Sequence, residues 1–407
     1  MNISERRLNI DHTLAHILFQ AMAGIVYGFS IYLLMERNFS STIAGISMSL
    51  SNLSSMIIQP CVANFLDKSK KYTVFDVCVI TSILMLILYL SSCFISNGTI
   101  LLVVIYTLSI GIYQSLEPLF NSLCSVFNNS GLKIEFGKAR AFGSLAYGLV
   151  CFIFGTLTET NSYVVVLIGG CIFATLITLI CLIIRNDYNN ADKKEIKKED
   201  KKIISFIDFV KTNKMYIVLC ICLVGIFFGY TISDNFTILI VENVGGNSKD
   251  MGTILFIKAL LEGIFIFCYS KVRKHIKLNR LLVISMLGFI AKGFVIWRAT
   301  KVSTIYIAQL LQIPSFAIII PAMVEYINAN MDNYVAMRGQ ALFTMTIGIG
   351  STFSSLAGGY ISDTLGVSFT IFIGLVVTII SAITFISSLG VDRAKQKRKA
   401  KKALEGK

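Results

Sequence analysis

Apolar residues along the chain fall into twelve long runs, and short polar connections separate them. A helix that crosses a hydrocarbon core roughly 30 Å thick needs about 20 mostly apolar residues. The runs meet this requirement, so the pattern predicts an all-α integral membrane protein with twelve transmembrane helices. The predicted spans are residues 13–35, 43–65, 72–95, 100–122, 142–158, 163–184, 216–240, 251–270, 281–297, 304–327, 340–360 and 367–389.

Basic residues are distributed unevenly among the connections. The even-numbered connections and both chain ends are rich in Lys and Arg, whereas the odd-numbered connections hold only Arg37, Lys249, Arg298 and Lys301. Short loops rich in Lys and Arg stay on the cytoplasmic side of a membrane. We therefore expect a multi-pass protein of the cell membrane with both termini in the cytoplasm. The net charge of +14 follows from this orientation and from contact with anionic lipids, and it indicates no nucleic-acid partner.

A polar segment rich in Lys, Asp and Glu divides the spans into six and six. We expect an N-terminal half at residues 1–185, a cytoplasmic linker at 186–213, a C-terminal half at 214–390 and a basic cytoplasmic tail at 391–407. Halves with equal numbers of spans are typical of transporters built from repeats around a central cavity. We expect the protein to be a monomer.

The sequence shows no sign of soluble enzyme chemistry or of a cofactor. It contains no Walker-type phosphate loop, no dinucleotide-binding glycine motif and no HExxH zinc motif. The 10 Cys lie mostly within apolar spans, and His12, His16 and His275 are too dispersed for a ligand set. Neither a disulfide framework nor a metal site is expected. Without a P-loop, uphill transport would have to draw on an ion gradient.

Ionisable residues inside the predicted spans are candidates for function, because an unpaired charge at membrane depth costs several kcal/mol. Arg140 could instead be a cytoplasmic charge at a helix end, and Glu325 could be solvated near the end of its span. Lys258 and Glu262 stand four residues apart and could pair on one helix as a structural device. Asp234 lies deep in the seventh span among polar neighbours, which packing does not require. The full set is Glu117, Arg140, Asp234, Lys258, Glu262, Lys292 and Glu325.

Amide and tyrosine side chains recur on several spans of both halves. Each could be a hydrogen-bonding contact between helices, worth about 1 kcal/mol. Together they could also line a wet cavity of donors and acceptors, which suits a polyhydroxylated solute better than an apolar compound. They include Gln20, Tyr27, Asn52, Gln59, Gln114, Asn121, Gln309 and Gln312.

Two segments resemble motifs of the major facilitator superfamily. Residues 59–71, QPCVANFLDKSKK, resemble the signature of the loop between the second and third helices, with Asn64 where a Gly is usual. Residues 135–148, EFGKARAFGSLAYG, are similar to the fifth-helix motif of the oligosaccharide/proton symporters, the lactose permease group, and more loosely to that of the nucleoside/proton symporters. The resemblance implies the major facilitator fold, with two six-helix halves that rock around a central site.

The resemblance also implies roles for individual residues. Arg140 matches the group's sugar-contacting arginine and Tyr147 its stacking aromatic. Asn121 stands where the group has an acidic partner for that arginine. The expected substrate-binding residues of the second half are Tyr230, Asp234, Lys292 and Gln312.

The usual proton carrier of this group is missing. Ser315 stands at the position of the glutamate that carries the proton, and proton symport needs a group that changes protonation in the cavity. Asp234 and Glu262 are therefore the expected ion-coupling residues, with protons or sodium as the candidate ions. Asp234 is favoured, since Glu262 could be held by Lys258 on its own helix.

The loop between the second and third spans is the expected gate. Superfamily members make cytoplasmic contacts there that depend on the conformational state. The expected gating residues are Asp67, Lys68, Lys70 and Lys71.

The sequence thus predicts a secondary active transporter and not an enzyme. The expected cargo is a small hydroxylated solute, sugar-like or nucleoside-like, moved by alternating access. Two alternatives stay open: an exporter of amphipathic compounds, and a membrane sensor that keeps the fold without transporting.

Overall fold

The chain folds into consecutive helices that cross one bundle. The computed structural model describes residues 5–69, 71–132, 134–191 and 206–405. We number the spans α1 to α12; a short helix, Phe206–Thr212, precedes α7. Their bounds are Glu5–Gly28 with Ser30–Glu36 (α1), Ser41–Lys68 (α2), Val74–Phe94 (α3), Ile100–Asn129 (α4), Phe136–Thr160 (α5), Val164–Asn189 (α6), Lys214–Asn235 with Thr237–Glu242 (α7), Ser248–His275 (α8), Leu278–Trp297 (α9), Val302–Asn330 (α10), Asn333–Leu365 (α11) and Val367–Glu405 (α12).

Within the described ranges, eleven helices are long and apolar enough to cross a membrane, and the two segments of α1, bent by 49°, form the twelfth. The predicted all-α fold with twelve spans is confirmed. Large apolar side chains cover the outside of the bundle: Phe94 is 87% exposed, and Ile57, Ile221 and Phe267 are 66–69% exposed. A soluble protein would bury such residues, so their exposure fits a surface that faces lipid.

Each half has its own buried core. One cluster is built mostly from α1 to α6 and includes Tyr89, Tyr106 and Phe127. A second is built from α7 to α12 and includes Phe227 and Phe385. The predicted domain boundaries stay predictions, although α6 continues to Asn189, beyond the expected end of the first half. Much of the predicted linker, residues 192–205, lies outside the described residues.

The first helix of each half is interrupted at a buried phenylalanine. Phe29 breaks α1 and Phe236 breaks α7, and both backbones leave helical geometry there. A broken helix exposes carbonyl groups that need donors inside a membrane. In α7 the hydroxyl of Thr237 supplies one, donating to the carbonyl oxygens of Ser233 at 2.9 Å and Asp234 at 2.7 Å.

Helix α10 changes its winding in the middle of the bundle. Residues Gln309–Gln312 form a 3₁₀ turn and Ile313–Ala317 form a π turn. Pro314 lacks a backbone N–H and cannot continue a regular ladder. Helix α9 meets this turn at Gly288, where an added β-carbon would lie 2.9 Å from the backbone nitrogen of Ser315. The distortion and the close contact together set the direction of Gln312.

The contact at Gly288 makes a testable demand on packing. We expect Gly288→Ala to destabilise the protein by about 1–3 kcal/mol, because the new methyl group meets backbone atoms that cannot rotate away. Gly263→Ala on α8 is the matched control, since an added β-carbon there meets nothing within 4 Å. Thermal unfolding in detergent should separate the two variants. Equal melting temperatures would contradict the close approach of α9 and α10.

Candidate functional site

A glutamine on α10 connects several polar side chains of the C-terminal half. The amide nitrogen of Gln312 donates to Oε1 of Glu262 on α8 and, at 3.0 Å, to the hydroxyl of Tyr230 on α7. Its amide oxygen accepts a hydrogen bond from Nζ of Lys292 on α9. Gln312 is fully buried and Lys292 is 6% exposed. One neutral side chain thus bridges a carboxylate and an ammonium group away from water.

The second pair of charges in this half joins α7 and α8. Nζ of Lys258 contacts Oδ1 of Asp234, and their side chains are 10% and 28% exposed. With Glu262 and Lys292, the half holds two carboxylates and two ammonium groups in one connected cluster, so its formal charge is balanced. Burying a charge is tolerable only when such partners are present.

The aromatic ring of Tyr230 lies between these groups. Phe316 stacks on it with ring centroids 4.8 Å apart. The ammonium groups of Lys258 and Lys292 lie 5.7 Å and 5.3 Å from the centroid of its ring, within the range of cation–π attraction. The ring of Tyr230 therefore helps to place both lysines, and its hydroxyl group accepts a hydrogen bond from Gln312.

Of the two partners open to Lys258, Glu262 on its own helix is not the one that it contacts. Lys258 pairs with Asp234 of the neighbouring helix instead, and Glu262 accepts its hydrogen bond from neutral Gln312. Spacing along one helix allows a contact between Lys258 and Glu262 but does not choose between partners on different helices. Glu325, in contrast, forms a separate ion pair with Arg273, 2.8 Å from Nε to Oε1, near the end of α10.

In the N-terminal half, Arg140 has an acidic neighbour on α4. Its Nη1 lies 3.7 Å from Oε1 of Glu117, and the two side chains are 43% and 40% exposed. Asn121, at the position where the resemblance places the acidic partner, lies one turn further along α4 and is half-buried. The acidic partner of Arg140 is thus Glu117, one helical turn before the position that the resemblance indicates. Glu117 was among the ionisable residues that the sequence placed inside a span.

Tyr147 lies on α5 next to a contact between the two halves. The neighbouring residue, Gly148, packs against α8, where an added β-carbon would lie 3.1 Å from side-chain atoms of Phe256 and Ala259. Lys258 lies between these two residues on the same helix. Tyr147 of the N-terminal half therefore lies beside α8 of the C-terminal half, the helix that carries Lys258 and Glu262.

Two crossings at one end of the bundle hold the halves together. We call this the lysine-poor end, because it carries the odd-numbered connections. At Gly45 of α2, an added β-carbon would lie 3.2 Å from the Cα of Gly359 of α11. At Gly155 of α5, it would lie 2.9 Å from the Cα of Gly252 of α8. Only glycine permits backbones to come this close.

An acidic residue one turn beyond each glycine closes both crossings. Asp363 of α11 accepts hydrogen bonds from the backbone nitrogens of Ser41, at 3.2 Å, and Thr42, at 2.6 Å. Glu159 of α5 accepts a hydrogen bond from Asn247 at 3.1 Å and pairs with Lys249 at 3.4 Å. We call these two sets of contacts the latches. Each fastens the start of a helix in one half to the end of a helix in the other.

Sequence reasoning missed the latches, although the chain carries their signal twice. A Ser and a Gly four residues apart begin both α2 and α8, at Ser41 and Ser248. A Gly and an acidic residue four residues apart end both α5 and α11. The expected gate lies at the opposite end: Lys68 and Lys71 are exposed there, whereas the side chain of Asp67 and all of Lys70 lie outside the described residues.

Comparisons with known proteins agree with this architecture. The model of the MFS_1 like family matches residues 13–373. The chain belongs to this family. A relative from Bacillus subtilis (strain 168), the uncharacterized transporter YwbF, is 24% identical over 351 residues, 85% of this chain and 84% of the relative. The maltose permease of Geobacillus stearothermophilus is 21% identical over 352 residues, 85% of this chain and 86% of the permease.

A solved structure shares the fold. The crystal structure of nucleoside transporter NupG matches with a TM-score of 0.76 over 94% of this chain and 98% of that one, at 13% identity. The chain is therefore a multi-pass membrane protein with the major facilitator fold. In transporters of this fold, two halves that separate at one end while closing at the other give alternate access to a central site.

If the latches hold the lysine-poor end closed, removing one of them should make this end open more often. Asp363→Ala removes the acceptor for two backbone N–H groups, so we expect the lysine-poor end to open about 5- to 30-fold more often, for a loss of about 1–2 kcal/mol. A reporter, Ser355→Cys, lies at the crossing near Gly45. Its labelling by a membrane-impermeant maleimide measures opening, in protein whose accessible cysteines Cys61, Cys93, Cys171 and Cys268 are replaced by Ser.

Asn243→Ala is the matched control for this prediction. Asn243 lies at the same end but bonds to Ser368 of its own half, at 3.5 Å. This substitution should leave the labelling rate of Ser355→Cys unchanged. Equal rates in the Asp363→Ala and Asn243→Ala variants would exclude Asp363 from the closed gate.

Proposed function

We propose that this protein is a secondary active transporter of a small hydroxylated solute, sugar-like or nucleoside-like, in the cell membrane. The observation that carries the proposal is a pair of polar groups on opposite halves: Arg140 with Glu117, and the cluster around Gln312. Solute hydroxyl groups both donate and accept hydrogen bonds, so they match a site that offers guanidinium, ammonium, amide and carboxylate groups together. The relatives named for maltose and nucleosides support the same class of cargo.

The expected binding residues then have distinct tasks. Arg140 offers a rigid fork of donors to solute oxygens, and its exposed pairing with Glu117 leaves both groups accessible to a ligand. Tyr147 offers an aromatic face for a sugar or base ring, and Asn121 adds amide hydrogen bonds. On the other half, Asp234, Lys292 and Gln312 complete the ring of polar contacts, together with the hydroxyl of Tyr230. This assignment follows the oligosaccharide/proton symporter group.

In this proposal, the closed glycine crossings identify which state of the transport cycle the structure represents. With both termini in the cytoplasm, the lysine-poor end faces outward, and the latches close the outward path. The described structure is then the state whose site opens toward the cytoplasm. Loading from outside requires the glycine crossings of α2 with α11 and of α5 with α8 to separate.

We assign proton coupling first to Glu262 rather than Asp234. Asp234 is held by the ammonium group of Lys258, so its protonation would break a buried ion pair. Glu262 accepts from neutral Gln312, and a proton on its other oxygen leaves that hydrogen bond intact. The preference for Asp234 rested on a pairing of Glu262 with Lys258, which the geometry does not support.

Transport of hydroxylated solutes is tested first by flux. Purified protein in proteoliposomes should accumulate a member of a panel of sugars and nucleosides when a gradient is imposed. Counterflow of apolar, amphipathic compounds with no response to the panel would favour the exporter. A complete absence of flux for every compound would favour the sensor.

Arg140→Lys should weaken binding of the transported solute by roughly 30-fold. Charge-assisted hydrogen bonds contribute about 1.5–3 kcal/mol, and an ammonium group cannot reproduce the planar fork. The matched control is Lys138→Arg, the reverse exchange two residues away, where the 74% exposed Lys138 pairs only locally with Glu135 at 2.7 Å. Equilibrium binding should separate the two. Parental affinity in Arg140→Lys would reduce Arg140 to an orienting charge.

Coupling is tested by two isosteric substitutions. Glu262→Gln should abolish accumulation driven by a proton gradient and spare counterflow, because exchange of solute needs no net proton movement. Asp234→Asn should lower binding, since it leaves Lys258 buried without a carboxylate, yet the remaining flux should still respond to the gradient. Proton-driven accumulation that survives in Glu262→Gln would move the coupling role back to Asp234; survival in both variants would favour a sodium-coupled or passive carrier.

A further inference from the structure

Two cysteine thiols from different helices lie together near the lysine-poor end. The Sγ atoms of Cys93 on α3 and Cys171 on α6 are 3.5 Å apart. Both residues are half-buried, and both line an open groove of about 570 Å³ on the outside of the N-terminal half. Most of the groove is lined by apolar side chains that face lipid, but Arg37, Asn97 and Tyr163 line it where the helices end. A reagent can reach the neighbouring sulfur atoms from this polar end.

The surrounding structure holds the two helices at this distance. One turn before Cys93, Tyr89 packs against Gly170, the residue next to Cys171, so closely that an added β-carbon would overlap the tyrosine ring. A larger residue at position 170 would separate the helices and the thiols with them. Tyr89 and Gly170, which lie beside the two cysteines, therefore keep α3 and α6 close together.

Hydrogen bonds fix the end of α3 directly beyond Cys93. The buried guanidinium of Arg37 donates to the carbonyl oxygens of Ser92, at 2.7 Å, and Ile95, at 2.5 Å, and to Oδ1 of Asn97, at 2.8 Å. Asn97 in turn donates to the hydroxyl of Tyr163 at 2.9 Å, just before α6 begins. These hydrogen bonds therefore connect the end of α1, the end of α3 and the start of α6 around the two thiols.

We propose that Cys93 and Cys171 are a redox modification site that forms a disulfide between α3 and α6. A disulfide needs its sulfurs at about 2.05 Å, so the two Sγ atoms, now 3.5 Å apart, have to approach by roughly 1.5 Å. The oxidant is an external disulfide. One thiolate attacks it and releases a thiol, and the second thiolate then displaces the other thiol, so two hydrogens and two electrons pass to the oxidant.

The consequence of this bond is a brace within one half. Both helices belong to the N-terminal half, so the link does not join the parts that rock against each other. It closes a long stretch of chain between the two cysteines and restricts the unfolded state. That the pair meets an oxidising exterior rests on the outward assignment of the lysine-poor end in the proposed function.

The test uses full-length protein with Cys61→Ser and Cys268→Ser, which removes the two exposed thiols. After reduction, the protein is incubated in detergent with oxidised glutathione, denatured, alkylated with a maleimide and weighed by mass spectrometry. We expect two fewer alkylated thiols, no glutathione adduct, a cross-linked peptide that joins Cys93 to Cys171, and a higher thermal unfolding midpoint. An unchanged number of alkylated thiols, or an unchanged midpoint in cross-linked protein, overturns the proposal.

Two control variants identify the pair. Cys93→Ser should prevent the paired loss of thiols. The double substitution Cys78→Ser and Cys181→Ser, on the same helices but fully buried, should preserve it. Paired loss in Cys93→Ser would assign the reaction to other cysteines and overturn the proposal.

Intact cells distinguish this proposal from the proposed function. A membrane-impermeant disulfide applied outside should oxidise the pair. Oxidation by the same reagent in inside-out membrane vesicles but not in intact cells would support the pair and overturn the outward assignment of the lysine-poor end. Oxidation from neither side of the membrane would overturn the modification site. Oxidised protein should transport at the parental rate, because the brace leaves both latches free.

Discussion

The approach of backbone to backbone at two glycine crossings is the constraint on which the arrangement of the halves depends. At Gly45 with Gly359 and at Gly155 with Gly252, the nearest atoms across each crossing are backbone atoms. Helices that meet through glycine gain van der Waals contact without the repacking that interdigitated side chains demand. The crossings can therefore be tight when closed and still separate as rigid surfaces. The few hydrogen bonds of the latches then bias which state is populated.

The charged groups of the candidate site find their partners within their own half. The cluster around Gln312 is satisfied within the C-terminal half, and Arg140 finds Glu117 within the N-terminal half. Neither half leaves a buried charge stranded when the two separate, which would cost several kcal/mol. In the proposed function, a hydroxylated solute exchanges hydrogen bonds with both sets and links the two halves.

Hydropathy predicted the twelve spans because a helix in lipid must be long and apolar. It could not predict side-chain contacts that depend on how the helices pack against each other. The start of α1 at Glu5 lies before the predicted span because a polar first turn carries no hydropathy signal. The partner of Lys258 depends on how α7 lies against α8, and the spacing from Lys258 to Glu262 says nothing about that. Gln312 could be named from the sequence, whereas the 3₁₀ and π turns that aim it require Pro314 and Gly288 to meet.

The two latches share one residue pattern, but their contacts differ. The Ser and Gly that begin α2 and α8, and the Gly and acidic residue that end α5 and α11, keep one geometry in two places. The contacts nevertheless differ in kind. Asp363 caps backbone N–H groups at the start of α2, where the helix dipole favours a carboxylate. Glu159 accepts a hydrogen bond from the neutral amide of Asn247 and also pairs with the exposed Lys249, and salt screens that ion pair. The same residue spacing thus supports two kinds of contact, a carboxylate that caps a helix in one latch and an ion pair in the other.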